Sequence, residues 1–333
     1  MEVVVTYDNP RNVDEWDALC KECGNFVQTT MYSEISAFYG GKSIYVQVID
    51  EQRVVGGVKL NWDVSRRLPF LSKRLSQFGE FVIMPDTDDL AIRKLLCEAI
   101  SSLVEKMSPT VISVKGFYGG IELLYKTGKY KCDEKSYGVA YLDLTKSEDE
   151  LLKNMGKNHR RSIKRAEDAN LEFFVSHDPQ YVIEMLKETY SVQDKSGPNP
   201  QYVENEINLG TKYGVSYVCV VKSGNDILSA CEAVAWGDLV YLTIGGNKKN
   251  SIGAGPFEMW SVIKEMKKRG CVKLTFGQVA LNDEFGDKHF IDGITDFKMR
   301  FGCYVVESCN RSYMISPMRD KLWNILCGLI FKK

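Results

Sequence analysis

The segment from Asn250 to Pro256 (NSIGAGP) carries glycines at a spacing that suits anion binding. Hydrophobic periodicity places it after a strand and before a helix. Gly253 and Gly255 would let the backbone approach a ligand closely, and the positive end of the following helix favours a pyrophosphate or another anion. Asn250, Gly253 and Gly255 are therefore candidate donor-binding residues. The alternative is an ordinary glycine-rich turn between a strand and a helix.

A second stretch, from Lys153 to Arg165 (KNMGKNHRRSIKR), is strongly basic and contains no acidic residue. It falls within a helix predicted over residues 145–169, where most of its cations would share one stripe. A stripe of this kind suits a polyanion such as an RNA backbone, a nucleotide diphosphate or an anionic lipid. A merely solvated basic face is the alternative. The candidate anion-binding residues are Arg160, Arg161, Lys164 and Arg165.

A third stretch places Lys298 between the aromatic residues Phe297 and Phe301. A lysine beside aromatic rings can be held as a charged donor, or its pKa can be lowered by burial. As a fixed cation, Lys298 could stabilise the oxyanion that forms when an amine attacks an ester or thioester carbonyl. A surface ion pair with Asp292 or Asp296 is the alternative.

Glu232 is a candidate for the base that takes the proton from the attacking amine. It is a carboxylate within an apolar segment that is predicted to be a strand, so burial would raise its pKa into a useful range. If Glu232 instead faces solvent, the substrate or water removes the proton.

Composition restricts the classes of protein to which the chain can belong. Its 333 residues are 44% hydrophobic and 26% charged, which indicates a globular protein of two domains. The net charge of −1 excludes a uniformly basic nucleic-acid coat but permits a local basic patch. No apolar run approaches the ~18 residues that span a bilayer, and the N-terminus has no signal-peptide pattern. We therefore expect a cytoplasmic protein.

Cysteine usage argues against both a disulfide framework and a metal centre. Ten cysteines in a chain of this length are typical of a reducing compartment. Cys20 and Cys23 form a C-x-x-C pair, but no second pair of ligands lies at a metal-binding spacing. We expect neither a bound metal nor a bound cofactor.

The order of predicted elements repeats in the two halves of the chain. Each half contains a hairpin, a further strand, a helix and a returning strand. The hairpins are residues 42–61 and 216–236, and the helices are 86–107 and 256–269. This repeat predicts a duplicated α/β unit with a mostly antiparallel sheet.

Taken together, these stretches resemble the Fem family, the double-GNAT aminoacyltransferases that build peptidoglycan cross-bridges, and its FemAB-like relatives. The resemblance rests on motifs that occur in the family's order in both halves of the chain. These are Val27–Tyr32, Gln77–Val82, the basic motif of Asn158–Ala166, Gly255-Pro256, Phe276-Gly277 and Phe297-Lys298-x-x-Phe301-Gly302.

The resemblance implies an α/β (α+β) fold of two GNAT-like domains, each a mostly antiparallel mixed sheet flanked by helices. We place them at residues 1–144 and 145–333. It also implies amide formation by transfer from aminoacyl-tRNA or acyl-CoA to an amine of a cell-envelope precursor. Lys298 and Phe297 match the family's catalytic pair, and the basic stretch would meet tRNA.

The sequence departs from the family at positions that bind the acceptor. Ser36 stands where well-studied members have a lysine that meets the nucleotide phosphates, and Asn199 replaces an arginine. Tyr202 matches the tyrosine of the N-P-x-Y loop. The acceptor-binding candidates are therefore Asn199, Tyr202 and Tyr241, and we expect retained acyl-transfer chemistry with an altered acceptor.

Two other functions stay open at the level of sequence. One is a CoA-dependent N-acyltransferase acting on an amino sugar or surface polysaccharide precursor, and the other is a non-catalytic module that binds RNA or a glycan. The C-terminal segment, residues 318–333, is apolar with basic edges and could contact a membrane peripherally or pack as a terminal helix. Arg66, Arg67, Lys73 and Arg74 form a second basic patch around Pro69. The apolar residues between them, Leu68, Phe70 and Leu71, could touch a membrane or stack on a ligand, and an ordinary surface loop is the alternative.

Overall fold

The computed structural model describes the chain except residues 24, 39, 66–67, 117–130, 193–195, 250–251, 282–287 and 331–333, and the side chains of 36, 288–292 and 327–330. The strands are β1 (Glu2–Tyr7), β2 (Lys42–Asp50), β3 (Arg53–Asp63), β4 (Arg74–Phe78), β5 (Val82–Ile83), β6 (Val111–Lys115), β7 (Lys131–Asp143), β8 (Glu172–Ser176), β9 (Ser216–Ser223), β10 (Asp226–Trp236), β11 (Leu239–Asn247), β12 (Lys273–Val279) and β13 (Tyr304–Met314).

Ten α-helices flank the strands in the described part of the chain. They are α1 (Val13–Glu22), α2 (Thr30–Phe38), α3 (Asp89–Met107), α4 (Glu148–Asn154), α5 (Lys157–Asp168), α6 (Gln180–Val192), α7 (Pro200–Lys212), α8 (Ala254–Lys268), α9 (Lys288–Met299) and α10 (Pro317–Ile330). A short 3₁₀ helix, Phe26–Gln28, precedes α2.

The chain forms two compact units, Met1–Tyr137 with Glu307–Lys333, and Gly138–Val306. The first boundary lies close to the predicted one at residue 144. The C-terminal segment differs from the prediction, because residues 307–333 belong to the first unit. The physical reason is that the last part of β13 pairs with β6 in antiparallel register, from Asn310 opposite Lys115 to Met314 opposite Val111.

The strand order in the first unit is β1-β2-β3-β4-β6-β13. Its core is formed by apolar side chains of β2, β3, β4 and β6 against α3, whose inward residues Ile92, Leu96 and Ile100 are fully buried. The β2–β3 hairpin closes through Glu51 and Gln52, both with positive φ, which fits a two-residue hairpin turn.

In the second unit the order is β7-β12-β11-β10-β9-β8. Along β10, successive side chains point to opposite faces of the sheet. Cys231 and Ala233 face the core formed with α5 and α8, whereas Ala230 belongs to the core formed with α6 and α7. This unit therefore has helices on both faces of its sheet.

The predicted internal repeat is confirmed by the strand pairing. In the first unit β4 and β6 pair in parallel, with α3 between them in the chain. In the second unit β11 and β12 pair in parallel, with α8 between them. The other strand pairs among the described residues, such as β2–β3 and β9–β10, are antiparallel, so each sheet is mixed and mostly antiparallel, as predicted.

The prediction of one helix over residues 145–169 was wrong, because the segment contains two helices. The capping box of Ser147 and Glu150 starts α4 as expected. The helix then ends at Met155, whose backbone is extended, and the Gly156 amide donates to the Arg300 carbonyl at 2.7 Å. The end of α9 therefore packs into the break, and Lys153 does not share a helix with the other basic residues.

Candidate active site

Lys298 lies in the last turn of α9, half-buried, with its ammonium held by a main-chain oxygen. Its Nζ donates to the carbonyl of Gln278 at 2.7 Å, just beyond the Phe276-Gly277 motif on β12. Burial lowers the pKa of Lys298 to about 8. Asp296 pairs with Arg300 at 2.7 Å, and the side chain of Asp292 lies outside the described residues. The structure therefore does not pair Lys298 with Asp296.

His159 on α5 fixes the backbone beside Lys298, a role that the sequence analysis missed. Its ring is buried between Phe297 and Phe301, with ring centroids 4.9 and 4.5 Å away. Its Nε2 lies 2.9 Å from the carbonyl oxygen of Phe297. Because a carbonyl can only accept, Nε2 carries the hydrogen, and burial lowers the pKa of His159. His159 thus acts as a positioning residue for the Phe297-Lys298 pair.

The opposite side of α5 is exposed and basic, as predicted for residues 160–165. Two of the predicted cations already have partners in the chain. Arg160 donates to the carbonyl of Lys153 at 3.0 Å and so caps α4, and Lys164 pairs with Asp168 at 3.5 Å. Of the four predicted residues, Arg161 and Arg165 are exposed and have no acidic partner within the described part of the chain, so among the four these two are the most available to a polyanion.

The glycine turn packs closely against α5. Gly253 has a positive φ of 66°, and a Cβ at this position would lie only 2.3 Å from the Ser162 carbonyl oxygen. A Cβ on Gly255 would lie 3.3 Å from Oδ1 of Asn247. Contacts within the chain therefore require glycine at position 253, whereas at position 255 an added Cβ would need only a small shift of the Asn247 side chain. Ala254 and Gly255 are buried, and Asn250, the first residue of the predicted motif, lies outside the described residues.

The glycine turn and the Phe297-Lys298 pair contact the same side of α5. Gly253 meets Ser162 and Phe297 meets His159, and residues three apart lie on one helix face. The predicted donor-binding turn and Phe297 of the predicted catalytic pair therefore contact α5 one turn apart.

A buried polar cluster, also missed by the sequence analysis, supports the start of α8. Glu258 is 2% exposed, and burial raises its pKa to about 8, while hydrogen bonds with Ser229 and Cys231 oppose the shift. Ser229 also donates to Oδ1 of Asn247 at 2.5 Å. The neutral acid is therefore the form that the fold holds near pH 7.

Glu258 makes the stability of the protein sensitive to alkali. Between its ordinary pKa of 4.5 and its folded pKa of about 8, the folded state keeps a proton that the unfolded state has lost. The free energy of unfolding must then fall as pH rises through this window, by about 2–3 kcal/mol between about pH 6 and about pH 9. We expect Glu258→Gln to lose less stability than the wild type over that range in urea unfolding. Glu98→Gln, an exposed change on α3, should retain the wild-type slope, and an unchanged slope in Glu258→Gln would contradict the assignment.

Glu232 is buried and burial raises its pKa, so the alternative in which it faces solvent was wrong, but it does not meet Lys298. It is 1% exposed, and its oxygens accept from the hydroxyls of Ser216, at 2.5 Å, and Thr243. Glu232 points to the α6 and α7 face of the sheet, next to Glu206 on α7. Phe297, by contrast, packs with the core of α5 and α8. A role for Glu232 as a base stays a prediction without a contact to support it.

The predicted acceptor residues lie on the same face as Glu232. Asn199 caps α7, accepting from the amide of Gln201 at 2.9 Å, and Tyr202 is half-buried in the first turn of that helix. Tyr241 on β11 is 1% exposed. A cleft of about 350 Å³ between α6 and α7 is lined by apolar residues with Lys187 and Tyr190. The structure brings Asn199 and Tyr202 beside this cleft and does not bring them to Lys298.

The Val27–Tyr32 motif of the first unit has a structural role. Gln28 is fully buried; it donates to the Phe78 carbonyl at 2.6 Å and accepts from the amide of Lys59 at 2.5 Å. Lys59 is buried beside the ring of Tyr32, and burial lowers its pKa to about 7. The motif therefore fastens the start of α2 to β3 and β4. The side chain of Ser36 lies outside the described residues.

Several solved structures match the fold of this chain over most of its length. The crystal structure of FemX matches with a TM-score of 0.72 and 16% sequence identity, over 99% of this chain and 100% of that chain. L-PGS from Bacillus licheniformis matches with a TM-score of 0.57 and 11% identity, over 97% and 98% of the two chains. A tandem GNAT protein from the clavulanic acid biosynthesis pathway matches with a TM-score of 0.54 and 11% identity, over 95% and 99%.

No protein-family model matches the sequence, and no curated protein matches it significantly. At identities of 16% and below, the structural matches establish the architecture. They agree with the family resemblance of the sequence motifs and with the two mixed sheets of the described units. The chain therefore has a Fem-like double-GNAT fold.

Proposed function

We propose that the protein is an acyl- or aminoacyltransferase that forms an amide, by transfer from an activated donor to an amine of a cell-envelope precursor. The observation that carries the proposal is the placement of Lys298. Its ammonium is half-buried, is oriented by one bond to the Gln278 carbonyl, and keeps further hydrogens for a ligand. The Fem-like fold supports the reaction class.

In the proposed reaction, the nitrogen of the acceptor amine forms a bond to the carbonyl carbon of the donor ester or thioester. The carbonyl π electrons move to oxygen, where the Lys298 ammonium donates a hydrogen bond to the developing charge. Collapse of this intermediate breaks the bond to the leaving oxygen or sulfur, which takes up a proton. The amine loses its proton to water or substrate, because Glu232 lies on the other face of the sheet.

The surface of α5 favours aminoacyl-tRNA as the donor over acyl-CoA. Arg161 and Arg165 offer two exposed cations without acidic partners in the described part of the chain, which suits an RNA backbone. The glycine turn offers less to a diphosphate, because Ala254 and Gly255 are buried and Gly253 is packed on Ser162.

The donor is tested by incubating the protein with a mixture of charged tRNAs, or with acetyl- and succinyl-CoA, and an amine-bearing envelope precursor. Mass spectrometry of the products then reports the group transferred. An added aminoacyl residue supports the tRNA proposal, and an added acyl group supports the CoA-dependent alternative. Absence of any product with both donor classes, together with measurable RNA binding, would support the non-catalytic binding module.

The RNA-binding role of α5 gives a separate prediction. We expect Arg161→Ala/Arg165→Ala to lower affinity for tRNA by roughly tenfold and to reduce the salt slope of log K by about 1.5, because two phosphate contacts are lost. Binding is measured by filter retention over a range of salt concentrations. Lys94→Ala/Lys106→Ala on α3 removes the same charge and should leave the slope unchanged. Equal slopes in both double variants would contradict tRNA binding at α5.

A further inference from the structure

Two apolar, basic segments that are far apart in sequence meet on the first unit. One is the loop around Phe70, and the other is the exposed side of α10. The ring of Phe70 lies 5.4 Å from the guanidinium of Arg319, which also donates to the Ser108 carbonyl at 3.3 Å. Arg74, at the end of the same loop, pairs with Asp320 at 3.7 Å. The contacts fix the two segments against each other, so they form one surface.

The side chains of this surface are unusually exposed for their size. Met318 is 73% exposed, Phe70 68%, Ile325 51% and Leu322 43%. Residues 318, 322 and 325 follow the spacing i, i+4, i+7 and therefore share one stripe of α10. Clustered exposure of large apolar side chains marks an interaction site, whereas single exposed residues do not.

The charge around the stripe is positive in a chain whose net charge is −1. Arg319 and Lys321 flank the stripe on α10, and Lys131 lines a hollow beside Ile325. Asp320, the acidic residue of α10, is buried and paired with Arg74. We call this surface the apolar-basic patch; its members are Phe70, Arg74, Lys131, Met318, Arg319, Lys321, Leu322 and Ile325.

We infer that the apolar-basic patch docks the protein peripherally on an anionic lipid bilayer. An amphipathic helix with apolar residues on one side and basic residues at its edges inserts that side at the level of the headgroups. Basic side chains beside it gain from the negative surface potential of the membrane. A second copy of this chain fits less well, because like charges would face each other across the contact.

The attachment is peripheral. Among the helices of the described residues, none combines the length and apolar character needed to cross a bilayer. The exposed stripe of α10 and the ring of Phe70 would set how deeply the protein enters the bilayer surface.

The inference is tested by sedimentation of the full chain with vesicles. We expect at least about tenfold stronger partitioning onto vesicles of equal parts phosphatidylglycerol and phosphatidylcholine than onto phosphatidylcholine alone. Met318→Ser/Leu322→Ser/Ile325→Ser should lower the partition coefficient by about tenfold or more. Lys131→Glu/Lys321→Glu should abolish the preference for anionic lipid.

Leu90→Ser is the matched control, because Leu90 on α3 is 78% exposed but has no place in the patch. It should bind vesicles as the wild type does, and urea unfolding of each variant verifies that the fold is intact. Equal partitioning of the wild type and the triple serine variant would overturn the inference. So would a concentration-dependent dimer that the triple variant abolishes, since a second copy would then cover the patch. Lipid binding is measured without substrate, so failure here is distinct from failure of the proposed transferase activity.

Discussion

Lys298→Met is expected to lower the rate of amide formation by about 10²–10³-fold, the loss typical of removing one oxyanion donor. Methionine keeps most of the length of the side chain and removes the cation. Because Lys298 lies in the last turn of α9 and methionine keeps most of its aliphatic stem, the fold should survive the change. Single-turnover assays with the donor that the product analysis selects measure the effect.

The control for this prediction separates chemistry from binding. Lys268→Met removes an exposed lysine from the end of α8 and should leave turnover unchanged. Donor binding to Lys298→Met should stay within about twofold of wild type, because an interaction made in the transition state affects rate more than affinity. Unchanged turnover in Lys298→Met would remove this residue from the mechanism.

The lowered pKa of Lys298 also predicts an upper pH limit for the reaction. Its pKa is lowered to about 8 by burial, so the cation is present below that pH and is lost above it. An oxyanion donor must be protonated, and the rate should therefore fall as pH rises through about 8.

Gly253→Ala is expected to reduce the free energy of unfolding by roughly 2–4 kcal/mol, the sum of backbone strain and a steric clash. The left-handed backbone of Gly253 costs about 1 kcal/mol for alanine. The added Cβ would also lie 2.3 Å from the Ser162 carbonyl, so α5 and the turn must separate. Urea unfolding with a fixed m-value measures the change.

Gly224→Ala provides a matched control for the backbone strain alone. Gly224 has a similar φ of 57°, and a Cβ there meets nothing within 4 Å. It should cost about 1 kcal/mol. If the two variants lose equal stability, the close packing of the turn on α5 is not what requires glycine at position 253.

Much of the fold could be predicted from periodicity and turn residues. The β2–β3 hairpin, α3 and the elements from β9 to α8 fall close to their predicted bounds, because each has a strong repeat bounded by turn signals. The break between α4 and α5 could not be predicted, since Gly156 alone is tolerated in a helix. Its amide bonds to Arg300, a contact that joins residues 144 positions apart in the sequence.

The candidate site was predictable in its residue types but not in its arrangement. Lys298 and Phe297 follow from the motif, and the buried His159 lies inside a stretch that the sequence presents as basic. The side chain of His159 points inward because α5 packs against α9 at this position. The hydrophobic periodicity of a short polar helix does not reveal that contact. The sequence left open whether Glu232 is buried or faces solvent, because the face of the sheet to which it points depends on strand register.

On α5, the residues of one side are constrained by packing, whereas the residues of the other side are free to vary. His159, Ile163 and Ala166 point inward and are held by their neighbours, whereas Arg161 and Arg165 point outward and are held by none in the described residues. Selection can therefore exchange the outward residues without disturbing the backbone that carries Lys298. Under the proposed function, a few surface changes on this one helix would therefore suffice to admit a different donor, while the reaction stays the same.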